Sequence, residues 1–170
     1  AKLEESMISY IIKTNLRNQI EKAQKDLSNI RNKLILQKAD NSIKSIISEA
    51  KQFVNNGVRT AVLTANLGSD SKVTKKAIES IRKETSDKLS FILIGIDNDT
   101  NRINVISFVN DDSQSSSQLK ANEWVSFVLS SAGGKGGGRA NLANGSINDI
   151  SYQDIIIKSA NEYLTTNIKV

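Results

Sequence analysis

A chain of 170 residues with 38% hydrophobic content and a net charge of +5 holds enough apolar material for one domain and an appendage. It contains no Cys and no His, which removes disulfides, the usual zinc sites, Ser-His and Cys-His nucleophile pairs and histidine acid–base chemistry. No apolar run approaches the ~18 residues of a membrane span, no signal peptide stands at the start, and no carboxylate pair is distinctive enough to nominate as catalytic.

Residues 2–38 contain neither Gly nor Pro. Within them Ile20, Ala23, Leu27, Ile30 and Leu34 repeat at spacings of three and four, a heptad seam. A helix of roughly 35 residues is about 50 Å long, more than a small core can cover. The arm is therefore expected to pack on a partner helix, the alternative being an amphipathic helix lying on its own domain. Asp40-Asn41-Ser42 looks like a cap, and Ile43, Ile46, Ile47, Ala50, Phe53 and Val54 form a second stripe out of phase with the first. This predicts a bend or a helical hairpin, ended by Asn55-Asn56-Gly57. The arm occupies residues 1–56 and a globular domain residues 57–170. The arm carries ten Lys or Arg against six Asp or Glu, the remainder thirteen against twelve. Any anion site in the globular part is therefore local rather than a broad field.

Val58–Ala65 is β-branched and reads as a strand. Gly68-Ser69-Asp70-Ser71 reads as a capping loop, followed by a helix from about Lys72 to Asp87 with Val73, Ala77, Ile78 and Ile81 inward. Lys75, Lys76, Arg82 and Lys83 fall on its outward, solvated face. Leu89–Ile96 is an apolar strand fit for the sheet centre. Asp97-Asn98-Asp99-Thr100-Asn101 turns the chain into Ile103–Val109; the two aspartates lack the later ligands of a cation loop and act as turn formers. After a polar loop, Asn110–Gln118, a helix over Leu119–Ser131 carries Trp124, Val125, Val128 and Leu129 on one side, with Trp124 expected in the core. A last helix spans Asp149–Thr165. The predicted order is α-α-β-α-β-β-α-loop-α: an α/β chain with a helical arm and a mixed sheet flanked by helices.

Between the last two helices lies Gly133-Gly134-Lys135-Gly136-Gly137-Gly138-Arg139, which holds five of the nine glycines. Without Cβ atoms, such a loop can present successive N–H groups to an anion. Lys135 and Arg139 at its edges suit phosphate, one as a point charge and the other as a fork. A flexible linker is the other reading, although linkers usually carry Ser and separate independent units. A nucleotide phosphate loop does not fit, because the segment follows a helix and lacks the Lys-Ser/Thr pair.

These residues, with Ala143 and the upstream Lys120-Ala121, resemble the glycine-rich signature of the C-terminal domain of alanyl-tRNA synthetase. That family usually has Pro, Asp and Gln where Ala140, Asn141 and Asn144 stand, and Gly where Asn122 stands. These departures suit a divergent member, of the mitochondrial matrix or the cytoplasm. The resemblance implies a non-catalytic module, without cofactor or metal, that contacts the outer corner of alanine-specific tRNA and forms dimers through its arm. The remaining catalytic and editing domains of an ATP-dependent ligase would be its partners within the parent chain, with no membrane involved. The residues it nominates for tRNA are Lys120, Gly133, Gly134, Lys135, Gly136, Gly137, Gly138, Arg139, Asn141 and Asn144. A dimerisation module that ignores tRNA and an accessory domain of a DHH-type phosphoesterase are the alternatives; the latter usually carries His after its glycines.

Overall fold

A computed structural model describes residues 2–68, 71–113 and 118–167. The chain divides into two units, residues 1–37 and 38–170. Helix α1 (Lys2–Asn55) belongs to both. No hairpin forms: the helix runs through Asp40-Asn41-Ser42 unbroken. No Gly or Pro forces a stop there, and Asn and Ser cost a helix interior only about 0.5 kcal/mol each. Ala39, Ile43, Ile46 and Ala50, all buried, more than offset that, and Asp40 is spent on an ion pair with Lys76 at 2.9 Å. The helix ends where expected. Gly57 takes φ +78°, and the Gly57 and Val58 N–H groups donate to the Val54 and Phe53 carbonyls at 3.0 and 2.9 Å.

In the first unit the arm's seam, Ile20, Leu27, Ile30 and Leu34, is exposed, Leu27 to 70%. So are Ile8, Ile12 and Leu16, which continue it toward the N-terminus at steps of four.

The second unit is built on a five-stranded sheet in the order β1-β2-β3-β5-β4. Its elements are β1 (Thr60–Asn66), α2 (Ser71–Glu84), β2 (Ser90–Asp97), β3 (Arg102–Phe108), α3 (Ala121–Ser130), β4 (Lys135–Gly138), β5 (Leu142–Ile147), a 3₁₀ turn (Ile150–Tyr152) and α4 (Gln153–Asn167). Strands β1 and β2 are parallel, joined through α2; the other pairings are antiparallel, so the sheet is mixed as expected. Residues 69–70 and, in the polar loop before α3, residues 114–117 lie outside the described residues.

Each face of the sheet has its own core. On one, the second half of α1 and helix α2 cover Ala61, Leu63, Phe91, Leu93 and Phe108. On the other, α3 and α4 cover Ile92, Ile94, Ile103, Val105, Ala143 and Ile147. Trp124 is fully buried there, stacks on Tyr163 at 6.2 Å between ring centroids, and donates its indole N–H to the Ala160 carbonyl at 3.2 Å. Burial, with the Glu123 charge adding to it, holds the Tyr163 hydroxyl above its ordinary value of 10.0. Asp97 is a turn former: its carboxylate accepts from the Asp99 and Thr100 N–H groups at 3.0 and 3.3 Å.

Two expectations need correction. The glycine segment is not a loop: residues 135–138 form the edge strand β4. Residues 142–147, expected as connection, form β5, which pairs with both β3 and β4. The final helix accordingly starts later, at Gln153, after the 3₁₀ turn.

Candidate nucleic-acid interface

The glycines of the motif divide by task. Gly133, at φ +69°, ends α3: its N–H donates to the Ser130 carbonyl at 3.2 Å, and that of Gly134 to the Leu129 carbonyl at 2.9 Å. Gly136 faces α3. A Cβ there would lie 2.5 Å from Val125 Cγ1 and 2.6 Å from Leu129 Cδ1. At Gly134 a Cβ would meet Ile147 Cγ1 at 2.6 Å, and at Gly145, on β5, it would overlap Leu129 Cδ1. These three positions let the helix lie close on the β4–β5 hairpin. Of the three motif glycines without positive φ, Gly134, Gly136 and Gly137, only at Gly137 would a Cβ meet nothing within 4 Å. The motif's backbone is thus committed in part to helix ending and strand pairing, and its anion-binding capacity cannot be that of an open loop.

What the hairpin does present is a face. In an antiparallel pair, opposite residues project to the same side. Register therefore defines two rows on the side away from α3: Ala65, Gly95, Asn104, Ser146 and Lys135 in one, Leu63, Leu93, Ile106, Asn144 and Gly137 in the other. Both rows begin apolar at β1 and β2, under α1 and α2. Both end polar at β5 and β4, where the residues are exposed or half-buried. A cleft of about 310 Å³ opens there, lined by Thr74 and Lys75 of α2, Arg102, Asn104 and Ile106 of β3, and Asn144, Gly145 and Ser146 of β5. Among the described residues its lining holds two cations and no acid. Arg102 Nη2 donates to Ser146 Oγ at 2.8 Å, which fixes the guanidinium at the rim.

The nominated residues fall in three places. Lys135, Gly137 and Asn144 share the open face. Arg139 stands at the hairpin's turn, its N–H donating to the Leu142 carbonyl at 2.8 Å, its side chain exposed. Lys120 and Asn141 lie elsewhere. Lys120 precedes α3 and is paired with Glu123 at 2.8 Å, and Asn141 lines a separate hollow with Arg82, Asp87 and Asn110. Lys75, Arg102, Lys135 and Arg139 take part in no ion pair among the described residues. Lys75, Arg102 and Asn104 were not nominated from sequence, Lys75 being read as part of a solvated face; finding them needs the strand register and the knowledge of which face of β3 and β5 the helices α3 and α4 leave open. Among the described residues no group of three His, Cys, Asp or Glu is placed to hold a metal, and no helix is long and apolar enough to cross a membrane.

A mixed sheet ending in a glycine hairpin under a short helix defines a class of small accessory domain, and the chain belongs to the DHHA1 domain family, whose model matches residues 55–166. Among the curated proteins it is similar to are alanine–tRNA ligases. That of a Polaromonas species is 29% identical over 152 residues, 87% of this chain and 16% of the relative. The cytoplasmic one of Drosophila melanogaster is 27% identical over 168 residues, 98% of this chain and 17% of the relative. The chain thus spans about a sixth of the length of these curated relatives. Among solved structures, the C-Ala domain from Aquifex aeolicus alanyl-tRNA synthetase aligns with a TM-score of 0.48 at 20% identity, covering 63% of this chain and 89% of that one.

Proposed function

We propose that the second unit is a non-catalytic tRNA-binding module of an alanine–tRNA ligase, serving aminoacylation and editing domains elsewhere in the parent chain. The observation that carries this is the open side of β3, β5 and β4, where Lys75 and Arg102 stand beside amide and hydroxyl groups with no carboxylate among the described residues that line the cleft, and Lys135 shares the row of Asn104 and Ser146. Phosphate contacts from such cations give affinity, and 2′-OH and base-edge contacts from Asn and Ser distinguish RNA. Similarity to alanine–tRNA ligases over nearly the whole chain supports tRNA as the RNA and the synthetase as the parent. It also favours that parent over a DHH-type phosphoesterase. The test is a gel-shift titration with alanine-specific tRNA. Arg139→Ala weakens binding by about 1–3 kcal/mol, the scale of a charge-assisted contact; unchanged affinity removes the hairpin from the site.

A second role has its own observation. The exposed apolar seam of the arm, residues 20–34, favours self-association through α1. The two roles are compatible, since they use different units.

A further inference from the structure

We propose that the cleft between the start of α2 and strands β3 and β5 seats one unstacked nucleotide of the bound RNA. The inference rests on the RNA-binding role given above and specifies what part of the RNA enters. At about 310 Å³ the cleft is at the small end of ligand pockets, which run from ~300 to ~1,000 Å³. It suits one nucleotide and excludes a duplex.

Its lining is sorted by chemistry. Lys75 and Arg102 stand at the rim as phosphate partners, Arg102 already held by Ser146. Beside them, the side-chain amides of half-buried Asn104 and exposed Asn144 make no hydrogen bond among the described residues. They lie on adjacent rows of neighbouring strands, diagonal to one another, with half-buried Ile106 opposite Asn144 and Ser146 opposite Asn104. Diagonal neighbours are about 7–8 Å apart, so two amides flank an apolar patch with donors and acceptors unspent. A surface that only tracked a phosphate backbone has no use for that arrangement. A base does: its face lies on Ile106 and its edge meets an amide, as when proteins read splayed-out RNA bases.

The experiment uses the full chain and two RNAs of equal length, alanine-specific tRNA and a blunt RNA duplex that offers no unstacked nucleotide. Asn104→Ala/Asn144→Ala is expected to keep the parental melting temperature, lose about tenfold in tRNA affinity and bind the duplex as the parent does. In parallel, titration of the parent with AMP, GMP, CMP and UMP shifts the NMR signals of the Asn104 and Asn144 side-chain amides. Parental tRNA affinity in the double variant overturns the inference and leaves the RNA-binding role standing, since Arg139→Ala tests that separately. An equal loss on tRNA and duplex also overturns it, because the amides would then serve backbone binding. If the parent binds neither RNA, both proposals fall together.

Discussion

A methyl group at Gly136 would have to share space with Val125 Cγ1 and Leu129 Cδ1, at 2.5 and 2.6 Å; one at Gly137 meets only solvent. Adjacent residues of identical type thus answer to different physics. Gly136→Ala forces α3 off the hairpin and costs about 1–3 kcal/mol, the usual scale of overpacking. Gly137→Ala stays within about 0.5 kcal/mol of the parent, as surface changes do. Thermal unfolding of the two single variants checks this; equal melting temperatures would refute close helix packing as the reason for the glycine. At this scale the sequence was legible where a side chain is present and silent where it is absent. Trp124 reads as core because its bulk and single polar atom leave few other places for it. A run of glycine says that Cβ atoms are not wanted, without saying whether a ligand or a helix takes the room.

Among elements, α1 and the β4–β5 hairpin carry the contrast. Heptad spacing makes the arm legible, and its apolar seam lies exposed as that spacing implies. Replacing Leu27 and Ile30 by Asp converts a self-associated chain into one of 18.6 kDa by light scattering, with the melting of the second unit unchanged. A parent that already runs at that mass ends the self-association role. Asp40-Asn41-Ser42 has the local chemistry of a cap yet does not break the helix, because the tertiary burial of Ala39 and Ile43 overrides it. Strand β5 was missed for a different reason. Leu-Ala-Asn-Gly-Ser-Ile has little β propensity, and its strand character comes from neighbours on both sides. The period of two is nonetheless there: Ala143 and Ile147 inward, Asn144 and Ser146 outward.

For the whole molecule, net charge is a poor guide to the site. Residues 57–170 hold thirteen cations against twelve anions, and several of the cations are spent, Lys76 on Asp40, Arg82 on Asp87, Lys120 on Glu123 and Lys158 on Glu162. What matters is that Lys75, Arg102, Lys135 and Arg139 are not among those ion pairs. Four phosphate contacts imply that the logarithm of tRNA affinity falls against the logarithm of salt with a slope of about −3. Neutralising Lys135 and Arg139 together lowers its magnitude by about half. A titration across salt concentrations reads both values, and a slope near zero excludes phosphate binding by this face. The α/β class and the mixed sheet were accessible from sequence, and so were Lys135 and Arg139 as candidate cations, whereas Lys75 and Arg102 were not. The face they share was not, because it is assembled from β3, β5 and α2, which only the register brings side by side.

The close lie of α3 on the hairpin has a bearing on inheritance. Selection for folding alone is enough to preserve Gly134, Gly136 and Gly145, whatever has become of the ligand. A descendant that abandoned RNA would keep those three glycines, be free to lose Gly137, and shed its cations and amides. Genomes searched by the packed glycines return an architecture; on the proposed role, lineages still in the trade of nucleic acid are told apart by Lys75, Arg102, Asn104, Lys135 and Asn144.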